Sequence, residues 1–317
     1  MDRARVLAAA QILRGVADET PMVRNDALDA LAGGRAYFKL ESQQRAGAFK
    51  FRGAFHAVAC QREACVARGV VTGSSGNHGA ALALAAQLHG ASCLVVMPED
   101  ATAAKLANVR AAGGEVLLHG RSSDERLAKA AAIAQSEGRV MIPPYDSEDV
   151  MAGQGTCALE ALRQVPDMEV FVAPCGGGGL LAGCAVALRD CADAVVQVFG
   201  AEAELANDTA RSFQSGARVR IEVPQTIADG MRNVIPGALT FPLVLRHCAG
   251  IALVSEDEIR AAMRLLHQYL GVMVEPTAAV APAALLYRRI DLRGRCAVAV
   301  VSGGNITAQD WHAVAHA

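Results

Sequence analysis

The sequence predicts an α/β protein built from two parallel-sheet units, each a three-layer arrangement with helices on both faces of its sheet, and three observations carry that reading. Short β-rich runs alternate with alanine-rich helical stretches between residues 69 and 142. A buried apolar run at 170–173 enters four consecutive glycines directly. Two more apolar strand candidates occupy 196–200 and 296–301. Alternation of this kind implies crossover helices and a parallel sheet.

Taken in order, residues 1–16 place Val6, Ala9, Ala10 and Leu13 at helical spacing, with Gln11 and Arg14 interrupting the apolar run. That is an amphipathic surface helix and not a signal peptide. A strand at 70–72 leads into a helix at 77–88, a strand at 93–97 and a helix at 103–112. A strand at 115–118, a helix at 124–135 and a strand at 140–142 complete the set. The turn Pro143-Pro144-Tyr145-Asp146 is the expected boundary, after which Gly153-Gln154-Gly155-Thr156 opens a helix and 180–188 forms another. The expected organisation is a large unit, residues 1–67 and 147–317, with a smaller mobile unit, 68–146, inserted into it. The active site is expected between them.

The bulk numbers narrow the function. With 317 residues, 52% hydrophobic and 20% charged, the chain can bury a substantial core, and disorder is excluded. A net charge of −2 without a basic stripe excludes nucleic acid and anionic membrane surfaces as partners. The longest apolar region, 80–97, contains Gln87, His89 and Gly90, so it reads as helix, turn and strand rather than a membrane span. Nine cysteines lack CxxC pairs or metal-ligand spacing, and Cys93, Cys157, Cys184 and Cys296 lie in apolar stretches. Reduced buried thiols in the cytoplasm are expected.

Four segments carry chemistry. Lys50 lies between Phe49 and Phe51, with Arg45 and Arg52 nearby, so desolvation and neighbouring cations can both favour its uncharged amine. An isolated lysine in such a setting more often snorkels from a helix. Ser74-Ser75-Gly76-Asn77-His78 sits where a strand turns into a helix, a place for a carboxylate, though Ser74 or Ser75 can equally serve as an N-cap. Gly176, Gly177, Gly178 and Gly179 link a strand to a helix, where bare backbone N–H groups make an anion site. A dinucleotide fingerprint fits less well, because Asp190 and Asp193 come too early for the ribose acid. Ser302 ends the last apolar strand and can bond a heterocycle nitrogen or cap a turn. Together these supply a Schiff-base amine, a polar turn, a phosphate cradle and a ring partner, the inventory that holds pyridoxal 5'-phosphate.

The chain resembles the serine/threonine dehydratase family of fold-type II pyridoxal-phosphate enzymes (tryptophan synthase β-like), and its serine racemase-like branch. The likeness runs nearly end to end: Thr20-Pro21, Lys39-Leu40-Glu41, Ala48-Phe49-Lys50-Phe51-Arg52-Gly53, the 74–78 turn, Ala152-Gly153-Gln154-Gly155-Thr156, the four glycines, Thr226-Ile227-Ala228-Asp229-Gly230, Glu275-Pro276-Thr277 and Ser302-Gly303-Gly304-Asn305. The resemblance implies that Lys50 binds the cofactor and acts as acid and base. It implies that Phe49, Asn77, the four glycines, Glu275 and Ser302 hold the cofactor, and that Ser74, Ser75, Asn77 and His78 bind the substrate carboxylate. Ser75 would act on the opposite face in racemisation. Glu202, the Ala206 carbonyl and Asp208 match a Mg2+ or Ca2+ site, against the alternative of a solvated acidic turn. A homodimer is implied as well.

Two departures stand out. Ala48 replaces a common serine, and an arginine that some racemases place near the substrate is expected to be replaced around Asp124. The expected function is a β-hydroxy-amino-acid dehydratase, a carbon–oxygen lyase acting on a small amino acid of the L-threonine or L-serine type. The alternatives are 3-hydroxyaspartate, with Arg232 meeting its second carboxylate, phenylserine, serine racemisation, or a catalytically silent metabolite-binding protein. A nicotinamide-dependent dehydrogenase is a third, weaker reading.

Overall fold

The computed structural model describes residues 1–74, 76–189 and 195–317. Two sheets organise it. Strands β1 (Met22–Arg24), β2 (Arg35–Lys39), β7 (Val170–Pro174), β8 (Gln197–Ala203), β9 (Gly250–Val254) and β10 (Cys296–Val300) form a six-stranded sheet in the order β1-β2-β10-β7-β8-β9. Only β1 runs antiparallel, against β2. Strands β3 (Val70–Gly73), β4 (Cys93–Met97), β5 (Glu115–Leu118) and β6 (Val140–Met141) form a four-stranded parallel sheet, β5-β4-β3-β6.

Both sheets are covered on both faces, which is why their central strands are continuous apolar runs rather than alternating ones. In the large sheet Val170 and Val172 point into one core with Phe38, Val280 and Trp311, while Phe171 and Ala173 point into another with Leu181, Val298 and Val300. In the small sheet Val70, Val95 and Met97 pack with the helix Asn77–His89, and Val71 and Val96 pack with Ala130 and Ile133. The first helix, Arg3–Leu13, buries Val6, Ala9 and Leu13, the spacing that marks its apolar face. Among the described residues no helix is long and apolar enough to cross a membrane. The described cysteines are all free thiols.

One expected boundary is corrected. Gly153-Gln154-Gly155-Thr156 does not open a helix but lies inside one, Glu148–Gln164, whose start is marked by Ser147 and the acidic first-turn residues Glu148 and Asp149. The glycines serve close packing instead. A Cβ on Gly153 would lie 2.6 Å from the Arg52 carbonyl oxygen, and one on Gly155 would lie 2.5 Å from that of Gly183. Strands β2 and β9 and most helices beyond residue 200 lie outside the sequence-based expectations.

The helix Lys50–Cys60 is anchored within its first turn by a buried ion pair at Arg52. Arg52 donates from Nη2 to Glu41 Oε1 at 2.7 Å and from Nε to Oε2 at 2.8 Å, with Thr20 Oγ1 donating to Glu41 at 2.7 Å. Glu160 joins at 3.1 Å from Arg52 and also pairs with Lys39, which is fully buried. Burial alone would raise the Glu41 pKa, but the charge and hydrogen bonds of Arg52 outweigh it and hold the carboxyl below its usual range.

Removing one partner of such a pair leaves a buried charge uncompensated. Arg52→Met should cost about 3–5 kcal/mol in urea unfolding at neutral pH. The loss should shrink as the pH falls toward ~4, because Glu41 without Arg52 gains stability by taking up a proton.

Candidate active site

Strands β3, β7 and β10 end at the same place, and a residue one or two positions past each end lines one cavity of about 140 Å³. Ser74 follows β3, Gly176 follows β7, and Ser302 follows β10. Carboxyl ends of parallel strands gather helix N-termini and their unpaired N–H groups, so ligands collect there. Phe49, Lys50, Ser74, Asn77, His78, the four glycines, Glu275 and Ser302 all line this cavity. Ser75 lies outside the described residues.

Lys50 is the first residue of its helix, and its Nζ donates to the Pro144 carbonyl oxygen at 2.7 Å while lying 4.9 Å from the centre of the Phe49 ring. Among the described residues no carboxylate pairs with it. Burial lowers its pKa to about 8, so about a tenth of the amine is uncharged at pH 7. The second expected influence, neighbouring cations, does not reach it. Arg52 turns back into Glu41, and Arg45 lies over Phe51 at 5.9 Å.

The 74–78 turn is shaped by Ser74, whose Oγ accepts from Gly76 N at 3.2 Å and Gly79 N at 3.1 Å. Gly76 is the N-cap residue, so Ser74 is not the cap itself but accepts one free N–H of the helix's first turn, and its hydroxyl proton stays available to donate. Asn77 is fixed at both ends of its amide. Its Nδ2 donates to Glu275 Oε1 at 2.6 Å, and its Oδ1 accepts from Asn305 Nδ2 at 2.8 Å. His78 Nε2 lies 3.1 Å from the Ile142 carbonyl oxygen, which can only accept, so Nε2 bears the proton and Nδ1 is left buried without a partner. Burial and the Lys50 charge push its pKa down to about 3. A neutral imidazole with a bare Nδ1 cannot donate to a carboxylate. What His78 can offer a carboxylate is its main-chain N–H in the first turn of Asn77–His89.

The four glycines pack under pressure from three sides. A Cβ on Gly176 would lie 2.8 Å from the Gly230 carbonyl oxygen, and one on Gly177 would lie 2.4 Å from the Tyr145 ring. Gly178 has φ +89°, and its own Cβ would lie 2.8 Å from Thr240 Oγ1. Thr240 Oγ1 also donates to Gly177 O at 2.8 Å, fixing the loop at the start of the helix Gly179–Leu188. Glu275 is 7% exposed, and burial first, then the nearby Asp229 charge, push its pKa up to about 8. Ser302 is buried beside it.

Glu202, Ala206 and Asp208 do not line the cavity but cluster elsewhere, on β8 and the start of the helix Asp208–Ser215. All three are fully buried, which rules out a solvated surface turn. Glu202 Oε1 accepts from Thr209 N at 3.2 Å and Oε2 from Ala210 N at 2.8 Å, while both Asp208 carboxylate oxygens are buried without a partner. Burial and the charge of Asp208 push Glu202 well above the usual carboxylate range, and burial pushes Asp208 up to about 7. Among the described residues no group of three or more His, Cys, Asp or Glu side chains surrounds a metal position.

Several cavity residues escaped sequence reasoning. Tyr145, read only as a boundary turn, covers the glycine loop. Lys105 lines the wall and pairs with Asp229. Around Asp124, where the replacement of an arginine was expected, Asp124 pairs with Arg220 at 3.2 Å away from the cavity, while Arg126, two residues on, lines it. Only its position three-dimensionally next to Gly73 distinguishes it from any other helix arginine.

The family described as pyridoxal-phosphate dependent enzyme matches residues 13–303. An L-threo-3-hydroxyaspartate ammonia-lyase of Pseudomonas sp. is 40% identical over 310 residues, covering 96% of each chain. The L-threonine dehydratase catabolic TdcB of Escherichia coli (strain K12) is 39% identical over 303 residues, covering 95% of this chain and 92% of its own. The structure of maize serine racemase superposes with a TM-score of 0.93 at 34% identity, over 98% of this chain and 96% of the other. A match across the whole cavity-forming chain, with relatives of nearly the same extent, means that this chain belongs to the pyridoxal-phosphate dependent enzyme family.

Proposed function

We propose that the protein is a pyridoxal-phosphate dependent ammonia-lyase that converts a β-hydroxy-α-amino acid of the L-threonine or L-serine type to a 2-oxo acid and ammonia. The observation that carries this reading is the convergence on one cavity of a desolvated lysine without a counter-ion, a carboxylate-binding turn and a glycine cradle. Relatives named for ammonia release and for dehydration support it. The two names describe one net reaction, in which a C–O bond breaks first and a C–N bond is hydrolysed afterwards.

The residues present fit the cofactor. Gly230, Tyr145 and Thr240 leave no room for a Cβ at 176–179, so the loop lining the cavity stays bare backbone, and its N–H groups open a helix where an anion can sit. When bound, pyridoxal 5'-phosphate supplies an electrophilic carbonyl and an electron-withdrawing ring that acidifies the substrate Cα–H. Lys50 would hold it covalently, the glycines its phosphate, Asn77 its ring hydroxyl and Ser302 its ring nitrogen, with Phe49 and Glu275 against the ring. The Ser302 hydroxyl and the protonated Glu275 leave that end of the cavity neutral at pH 7.

The Ser74 hydroxyl and the main-chain N–H groups at Asn77 and His78 would grip the α-carboxylate. Uncharged Lys50 Nζ takes the proton from Cα, the β-hydroxyl leaves as water, and the released enamine tautomerises and is hydrolysed to the 2-oxo acid and ammonia. Tyr145 over the glycine loop and the Lys105–Asp229 pair at the wall limit water entry. We further assign residues 68–146 as a smaller unit that moves against the rest, with a homodimer in a reducing cytoplasm as the working assembly.

Glu202, Asp208 and the Ala206 carbonyl fit a divalent cation, because two buried carboxylates without one must take up protons instead. Mg2+ or Ca2+ there would be structural or activating, being outside the cavity.

Ammonia release from L-threonine, L-serine, phenylserine and 3-hydroxyaspartate tests the reading, with Lys50→Ala expected to lose turnover and the visible absorption of the bound cofactor together. Cofactor uptake by the unloaded protein should rise with pH through about 8, as the Lys50 amine gives up its proton. Gly177→Ala, which drives a methyl into the Tyr145 ring, should weaken uptake about tenfold or more in an absorbance titration. In chelator, the unfolding temperature should fall as pH rises through about 7, since carboxyls with raised pKa values favour the folded state only while protonated. Mg2+ or Ca2+ should remove that fall, and Asp208→Asn should remove the response to the metal.

A further inference from the structure

We infer that Arg126 receives a second carboxylate on the substrate, so that the site favours dicarboxylic β-hydroxy-α-amino acids over those with an alkyl side chain. This rests on the lyase reading above and names its substrate class.

Arg126 lines the cavity yet is only 6% exposed. Its Nη1 donates to the Arg121 carbonyl oxygen at 3.0 Å and its Nη2 to Ser123 Oγ at 3.1 Å, while Nε is buried without an acceptor. A guanidinium stays charged at this depth, so the wall keeps a cation that no carboxylate neutralises. The acids around it are committed or distant. Asp124 pairs with Arg220, and Glu125 folds back to accept from the N–H groups of Arg121 and Ser122. Asp100 and Glu125 feel its charge, but neither bonds to it. Of the cavity's other cations among the described residues, Lys50 is assigned to the cofactor, Lys105 is paired with Asp229, and Arg232, exposed where Arg126 is buried, gives Nε and Nη2 to the Thr226 carbonyl oxygen at 3.3 and 3.0 Å. On this proposal the second carboxylate expected at Arg232 is received by Arg126 instead.

Position supports the same role. A Cβ on Gly73 would lie 2.8 Å from the carbonyl carbon and oxygen of Arg126, so the arginine's main chain packs on the last residue of β3. The next residue, Ser74, begins the turn assigned to the α-carboxylate. Both carboxylate receivers therefore belong to one wall. A buried guanidinium beside a methyl group stays unpaired, which penalises an alkyl side chain as much as pairing rewards an acidic one.

With 3-hydroxyaspartate the chemistry balances without an oxidant. The α C–H proton and the β-hydroxyl leave as water, and the resulting imine adds water and releases ammonia, leaving a four-carbon 2-oxo diacid.

The test uses the holoenzyme. The kcat/KM for ammonia release would be measured for L-threo-3-hydroxyaspartate and L-threonine in the wild type, Arg126→Met and Arg126→Lys. The wild type should prefer the diacid, and Arg126→Met should lower the diacid-to-threonine ratio about 10²–10³-fold, with Arg126→Lys between. A separate titration follows the cofactor's visible spectrum with L-aspartate and L-alanine, neither of which can lose a β-hydroxyl. The wild type should respond to L-aspartate at lower concentration, and Arg126→Met should not. A wild type that prefers L-threonine, or a ratio unmoved in Arg126→Met, overturns the assignment. Ammonia from neither substrate would instead sink the lyase reading, while the L-aspartate and L-alanine titration would still decide the role of Arg126.

Discussion

The lysine proposed to bind the cofactor has to be stripped of water without being given a carboxylate, and its surroundings meet that requirement. A counter-ion would hold Lys50 charged, whereas desolvation alone lowers its pKa to about 8. Its one hydrogen bond goes to a neutral acceptor, the Pro144 carbonyl, and its neighbour is the Phe49 ring. Two residues later the chain meets the opposite condition. Arg52 is surrounded by Glu41, Glu160 and Thr156, and these hold the helix start against the large sheet. About half a turn of helix thus separates an unpaired amine from a fully paired guanidinium. The second fixes where the first points.

The same division between paired and unpaired charge recurs elsewhere. Lys39 is fully buried and bonded to Thr20, Glu160 and Gln164, so it is structural despite being as hidden as Lys50. Burial therefore does not identify a functional group; burial without satisfied partners narrows the search. Among the described residues eight side chains meet that criterion: Thr72, His89, Gln154, Arg260 and Trp311 lie away from the cavity, and three more bear on function, the His78 Nδ1, the Arg126 Nε and the Asp208 carboxylate. Two of them line the cavity, and the third sits where the resemblance to known dehydratases implied a cation.

Much of this was legible in the sequence. Alternating apolar and alanine-rich runs gave β3 to β6 and their helices to within a few residues, because strands buried on both faces have to be apolar throughout. The glycine loop was legible because four glycines between a strand and a helix have few structural uses. What stayed hidden depended on side-chain direction. His78 reads as a polar ligand group, yet its ring turns to Ile142 and only its main chain is free to serve a carboxylate. Gly153 reads as a helix start, yet it marks a crossing where the Arg52 carbonyl leaves no room for a Cβ. Arg126 reads as one arginine among several, and nothing local to residues 121–126 announces that its helix meets the end of β3.

The bonds across the cavity explain why the turn at 74–78 belongs to the smaller sheet. Asn77 reaches Glu275 and Asn305, Lys105 reaches Asp229, and Arg220 reaches Asp124. Each of these joins a residue within 68–146 to one outside it, and the last two are ion pairs at least a quarter exposed. Exposed pairs contribute little stability and exchange readily with water. Asn77 differs, since its partners are more buried and it is assigned to the cofactor's ring hydroxyl. The boundary is also crossed by the Lys50–Pro144 bond, by the N–H groups of 238–240 on Asp146, and by one apolar core that Phe51, Phe55 and Val58 share with Val70 and Leu82, so the proposed motion would have to turn about the Lys50–Cys60 helix. Placing the carboxylate receivers on the unit assigned to move, and the lysine on the unit assigned to stay, makes substrate binding the event that assembles the site.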